Sequence, residues 1–158
     1  MASFMTACSA HRVSSSDKES NRGFTGENVS ATLRIEPAEV RAGQTLQVLV
    51  QLEISGGHYL YASNTEPFIP VTVTLTLPPG LDAPAGWTIS PAASAKGGHW
   101  VYTDSVQFRR TLRIGSNVPP GLLSIACELR YQACTEELCW PARTVPLSSP
   151  VRVRSSGR

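Results

Sequence analysis

The sequence predicts an all-β sandwich of about seven to eight antiparallel strands, and three observations support this fold class. Apolar and polar residues alternate with a period of two along several short segments, as in strands that bury one face. Turn signals rich in glycine and proline, such as Pro78-Pro79-Gly80 and Pro119-Pro120-Gly121, separate these segments. No window of a dozen residues carries a helical stripe of apolar side chains.

Four longer segments show the alternation clearly. Thr45–Ile54 places leucine, valine and isoleucine on one face, and Val71–Leu77 alternates valine and leucine with threonine, a β-branched residue suited to a half-buried strand. The other two are Val106–Ile114, where Arg110 interrupts the apolar face, and Leu123–Tyr131. The sequence also predicts four shorter strands, at Ala31–Ile35, Tyr59–Ala62, Trp100–Tyr102 and Thr144–Val153.

Length and composition indicate one domain. Of the 158 residues, we expect 29–154 to form the sandwich, 1–28 to be a disordered leader or the remnant of a processed N-terminus, and 155–158 to be a disordered tail. Met1–Ala7 is too short and uncharged for an intact secretory signal, and no apolar run is long enough to span a bilayer. A net charge of +2 without a lysine or arginine block argues against a nucleic-acid partner.

The four cysteines are not equivalent. Cys8 lies in the leader, and Cys127 lies on the apolar face of its strand, where a free thiol packs as a small hydrophobe. Cys134 and Cys139 follow that strand and are separated by four residues. A tight loop of this length can bring two Cα atoms within the distance of about 4.4–6.8 Å that a disulfide requires.

Three interpretations of this pair compete. A structural disulfide would contribute about 2 kcal/mol for so small a ring. A metal site would need the two thiols joined by His58 or His99, whereas zinc sites usually show two close ligand pairs. The third is a redox pair that exchanges electrons with a partner's disulfide. The spacing of the cysteines alone supports this interpretation and the structural disulfide equally.

The loop between the cysteines contains no positive charge. Glu136 and Glu137 lie there, and neighbouring carboxylates disfavour a thiolate. We therefore expect that the pair is not self-activated and depends on its partner for a good leaving group or an added charge.

The residues around the cysteines resemble those of one known family. The string Tyr131-Gln132-Ala133-Cys134 with Cys139-Trp140-Pro141 resembles the Tyr-Gln-x-Cys…Cys-x-Pro setting in the N-terminal domain of the disulfide reductase DsbD. Tyr59-Leu60-Tyr61 is similar to the family's Tyr-x-Tyr strand, and Leu77-Pro78-Pro79-Gly80 is similar to its Leu-Pro-x-Gly turn. The resemblance covers roughly Ser30 to Val153.

This resemblance implies an immunoglobulin-like sandwich in the bacterial periplasm, or otherwise outside the cytoplasm. It implies a protein thiol–disulfide oxidoreductase without cofactor or metal, which passes reducing equivalents to disulfide-containing proteins. Thioredoxin-like proteins or domains would be electron donor and acceptor, with a membrane-embedded domain further upstream. Cys139 would form the mixed disulfides and Cys134 would resolve them.

The resemblance also implies aromatic neighbours for the pair. Tyr59 and Tyr61 would pack around the sulfurs, and Trp100 and Trp140 are further candidates for shielding or partner contact. The family's best-known members have five residues between the cysteines, and their cap loop presents a shielding phenylalanine. The matching stretch here, about Pro91–His99, contains none, so Trp100 or Trp87 is the expected substitute. The alternative function is a non-catalytic protein-binding sandwich with a structural disulfide.

Overall fold

A computed structural model of the chain describes residues 22–62, 66–92 and 94–155, and these form fourteen strands. In chain order the strands are β1 (Gly23–Thr25), β2 (Val29–Glu36), β3 (Glu39–Arg41), β4 (Thr45–Ile54), β5 (Tyr59–Tyr61), β6 (Thr72–Thr76), β7 (Leu81–Asp82), β8 (Thr88–Ile89), β9 (Ser94–Lys96), β10 (His99–Tyr102), β11 (Ser105–Ile114), β12 (Gly121–Tyr131), β13 (Ala133–Cys134) and β14 (Arg143–Arg154). Within the described residues, no helix has the length and apolar character that crossing a membrane requires.

The strands form three sheets. The largest has the order β1-β2-β4-β11-β7, with β8 also paired to β11. The second, β3-β14-β12-β6, is antiparallel except where β3 runs parallel to β14. The third, β13-β5-β10-β9, is here called the small sheet, and it carries Cys134 at one edge.

The first two sheets enclose the main core, defined as the larger cluster of buried apolar side chains. The alternation of the sequence builds this core, because every second side chain is buried along β2 and, from Ile125 onward, along β12. The small sheet contributes Leu60, Tyr102 and Ala133 from one of its faces. The largest fully buried side chains include Phe108, Leu33, Leu46, Leu52, Leu60, Leu112, Ile114, Ile125, Leu129 and Leu147.

The all-β sandwich is confirmed. Each of the eight predicted strands is present, and β4 has the predicted bounds of Thr45–Ile54. The six strands that the alternation did not indicate, β1, β3, β7, β8, β9 and β13, have two or three residues each, too few to establish a period. One of them, β1, falls inside the predicted leader 1–28 and pairs with β2. The rest of that leader up to residue 21, with Cys8, and the tail 156–158 lie outside the described residues.

Arg110 interrupts the apolar face of β11, and its side chain has a hydrogen bond and an aromatic contact of its own. Its Nε donates a hydrogen bond to the carbonyl oxygen of Ala85 at 2.8 Å. Its guanidinium lies 5.7 Å from the centre of the Trp87 ring, which in turn meets Phe108 edge-on at 6.0 Å. The arginine is therefore stacked and hydrogen-bonded at the margin of the main core.

Candidate redox site at the edge of the small sheet

Cys134 and Cys139 form a disulfide across a short hairpin, Ala133–Trp140, here called the cystine hairpin. The two cysteines are an isolated antiparallel bridge pair. Hydrogen bonds flank them on both sides, from the Thr135 amide to the Leu138 carbonyl at 2.8 Å and from the Trp140 amide to the Ala133 carbonyl at 2.9 Å. This pattern marks a non-hydrogen-bonded pair, the closer type in antiparallel ladders. The Cα atoms are accordingly 4.0 Å apart, slightly less than expected.

The tip of the cystine hairpin is tied by Thr135. Its hydroxyl oxygen accepts hydrogen bonds from the backbone amides of Glu137 and Leu138, both at 3.3 Å. Such local side-chain bonds replace the backbone bonds of a regular turn. The tip leaves both glutamates exposed, and Leu138 is 51% exposed beside Cys139.

The two sulfurs differ in access. Cys134 is completely buried, whereas Cys139 is half-buried. A thiol or thiolate arriving from solvent therefore meets Cys139 first.

The predicted tyrosines and Cys134 lie together in a second buried cluster, here called the cystine cluster, which also contains Val101. Tyr59 and Tyr61 meet edge-on with ring centres 5.7 Å apart. The Tyr59 hydroxyl donates to the Thr135 carbonyl at 3.1 Å, which joins β5 to the hairpin tip. Burial, with the nearby Tyr59, raises the pKa of Tyr61 to about 12.

Phe68 is a residue of this cluster that the sequence analysis missed. Its ring stacks on Tyr61 with centres 4.3 Å apart and an interplanar angle of 9°. Phe68 and Cys139, both partly buried, pack against the cystine cluster. The side-chain oxygen of Gln132 accepts a hydrogen bond from the Ile69 amide at 3.1 Å, which fixes the segment beside Phe68.

The predicted tryptophans lie elsewhere. Trp140 follows Cys139 in the chain but packs against the main core, with its ring 5.2 Å from that of His58. Trp100 is 57% exposed and alternates with Val101 along β10, so it lies on the opposite face from the cystine cluster. Trp87 packs against Phe108 in the main core. None of the three joins the cystine cluster.

A lysine from another strand reaches the cystine hairpin. Lys96 forms an ion pair with Glu136, and its Nζ lies 5.7 Å from the centre of the Tyr59 ring. The hydrogen bond and charge of Glu136 raise the pKa of Lys96. Lys96 and His99 flank a two-residue turn, Gly97-Gly98, whose φ angles of 55° and 83° suit glycine. The positive charge that the loop sequence lacks thus comes from β9.

The histidines make aromatic contacts. The His99 ring lies 6.0 Å from the rings of both Tyr61 and Phe68, and His58 contacts Trp140. In the part of the chain that the structure describes, no three histidine, cysteine or acidic side chains are grouped as metal ligands would be.

Cys127 lies on β12 in the main core, as its position in the alternation predicts. It is 3% exposed, and burial raises the pKa of its thiol to about 11.

Comparisons with known proteins identify the family of this chain. Residues 28–147 match the family described as "Thiol:disulfide interchange protein DsbD, N-terminal". Among solved structures, the N-terminal periplasmic domain of ScsB from Proteus mirabilis aligns with 81% of this chain at 16% identity and a TM-score of 0.53, and the chain spans 49% of that structure's length. The reduced N-terminal domain of DsbD from Neisseria meningitidis aligns with 66% of this chain at 17% identity and a TM-score of 0.41, covering 80% of that domain. A comparison with curated proteins gave no match.

Proposed function

Because the chain belongs to the family of DsbD N-terminal domains, we propose that it carries out thiol–disulfide exchange through Cys134 and Cys139, outside the cytoplasm. The observation that carries this proposal is the asymmetry of the disulfide, with one sulfur buried and the other half-exposed beside an aromatic cluster. The ScsB domain that this chain resembles in fold is described as periplasmic, which supports the location.

In the first half of the proposed cycle the disulfide of this domain is reduced, and a reduced thioredoxin-like partner supplies the electrons. Its thiolate attacks the sulfur of Cys139, the Cys134–Cys139 bond breaks, and Cys134 leaves as a thiolate that takes up a proton. The partner's second thiol then attacks the mixed disulfide. Cys139 is released as a thiol, and the partner is oxidised while this domain is reduced by two electrons.

In the delivering half, the direction is reversed. The thiolate of Cys139 attacks a disulfide of a substrate protein, and one sulfur of that disulfide leaves as a thiolate. Cys134 loses its proton and attacks Cys139, which reforms the internal disulfide and releases the substrate as a dithiol. Burial of Cys134 suits it to this second, intramolecular step, since it needs no contact with the partner.

Trapping distinguishes the two sulfurs. With Cys8→Ser in the background, reduced Cys134→Ala should accumulate a mixed disulfide through Cys139 with a thioredoxin whose second active-site cysteine is serine and whose first is activated as a thionitrobenzoate disulfide. Thionitrobenzoate is then the leaving group, and neither protein keeps a thiol that resolves the product. The matched variant Cys139→Ala leaves Cys134 and Cys127, both buried, and should trap little. Equal trapping by both variants, or by neither, would contradict the assigned roles.

The reduction potential of the pair separates exchange from a structural disulfide. We expect a value between about −120 and −270 mV by equilibration in glutathione or dithiothreitol buffers, the range of known exchange proteins. A potential below about −300 mV, with unfolding on reduction, would instead indicate the protein-binding sandwich with a structural disulfide.

A further inference from the structure

We propose that Lys96 is a positioning residue for the redox pair, whose ammonium offsets the acidic tip of the cystine hairpin and so favours the thiolate form of Cys139 in the reduced protein. This inference deepens the proposed function and rests on it. Its basis is the placement of one cation from β9 against both the hairpin tip and the ring of Tyr59.

The two glutamates of the hairpin are not equivalent. Glu136 is bound by Lys96, whereas no ion pair to Glu137 is found among the described residues. Both carboxylates lie within three residues of a cysteine, where negative charge raises the cost of forming a second anion. The ammonium of Lys96 offsets the charge of Glu136 at the hairpin tip.

The tight turn between β9 and β10 fixes the position of Lys96 on β9. Lys96 pairs with His99, and Val101, two residues further along β10, is a member of the cystine cluster. An aromatic ring beneath the ammonium adds a cation–π attraction, and Tyr59 is itself hydrogen-bonded to the hairpin tip. The β9–β10 turn, the Tyr59 ring and Glu136 thus hold the cation at the tip of the hairpin that carries the disulfide.

Other titratable groups lie in or beside the cystine cluster and the cystine hairpin. Tyr59 and Tyr61 come from β5, His99 from β10, and Glu137 from the hairpin itself. Burial raises the pKa of Tyr61 to about 12, so this phenol stays neutral while a cysteine thiol titrates. Lys96 and Glu136 are therefore the two groups to vary, with the others held constant.

The test measures the rate at which iodoacetamide alkylates Cys139 in the reduced Cys8→Ser protein, at about pH 8, near the range where a free thiol ionises. Mass spectrometry assigns the label to Cys139. Lys96→Gln leaves Glu136 uncompensated and should slow alkylation about threefold, whereas Glu136→Gln leaves Lys96 uncompensated and should speed it by a similar factor. The differences should shrink at about 1 M salt, where the Debye length is about 3 Å.

Two controls separate charge from structure. Lys96→Arg keeps the charge and should retain the parent rate, and the double variant Lys96→Gln/Glu136→Gln removes both charges and should return close to it. Each single substitution breaks the same ion pair, so a purely structural role would shift both rates in one direction. That result, or no change in either variant, would overturn the inference. Alkylation needs no partner protein, so the outcome is separate from the trapping and potential measurements that test exchange itself.

Discussion

Two cysteines of this domain, Cys127 and Cys139, lie in contrasting surroundings. Cys127 lies in the main core between its cross-strand partners Leu75 and Leu147, and burial raises the pKa of its thiol to about 11. Cys139 lies at the edge of the small sheet, half-buried against aromatic rings and joined to Cys134. A cysteine in the first setting is inert, because only the thiolate reacts and burial suppresses it.

Most of the buried apolar core and the proposed exchange site lie in different sheets. The long strands of the main core bury most of the apolar side chains, whereas the small sheet has strands of two to four residues and presents its cystine cluster at the boundary with solvent. Changes in one region should therefore leave the function of the other largely intact.

The largest expected effect comes from the main core. Phe108 is 2% exposed, and Phe108→Ala should lower the free energy of unfolding by about 3–5 kcal/mol, because it removes buried area and leaves a cavity. Denaturant unfolding measures the loss. Its cross-strand neighbour Ile89 is 41% exposed, and Ile89→Ala should cost much less. In the folded fraction, dithiothreitol should reduce the disulfide at the parent rate; a changed rate in Phe108→Ala would break the separation of the two regions.

A smaller effect concerns the ionisation of Cys127. Its pKa is raised from 9.0 to about 11 in the folded protein, so the unfolded chain loses the thiol proton first as the pH rises. The stabilisation is fully present below about pH 9 and is lost as the pH rises through about 11. The parent should therefore lose about 1–3 kcal/mol more unfolding free energy across this window than Cys127→Ala does. The raised pKa of Tyr61 acts in both proteins and cancels in the difference; parallel pH profiles would contradict the prediction.

How far the sequence predicts this molecule also differs between the two regions. The main core follows from alternation, since a period of two over eight to twelve residues defines both the strand and its buried face, as in β2 and β14. The cysteine pair and its tyrosines follow from the family resemblance, which two short motifs carry, Tyr59–Tyr61 and Tyr131–Pro141. Both kinds of information lie in contiguous sequence.

The other residues of the candidate site come from segments that are distant from both motifs in the sequence. Phe68 lies between Pro67 and Pro70 in a segment without alternation, and it meets Tyr61 only through tertiary folding. Lys96 and Glu136 are forty residues apart in the chain. Trp87 and Trp100 are the expected substitutes for a shielding phenylalanine. Trp87 packs against Phe108 in the main core, and Trp100 lies on the face of β10 opposite the cystine cluster. No signal in the sequence specifies such pairings between distant short segments.

The smallest expected effect concerns which aromatic residue covers the disulfide. Because Phe68 stacks on Tyr61 and packs against the cystine cluster, Phe68→Ala should expose the disulfide and raise its rate of reduction by dithiothreitol several-fold. Phe68→Leu retains apolar cover and should raise it less. Gln132→Ala removes the acceptor for the Ile69 amide, and the loosened segment should shift the rate in the same direction by a smaller factor. If Trp100→Ala speeds reduction and Phe68→Ala does not, the exposed tryptophan is the shield despite its position on the opposite face of β10.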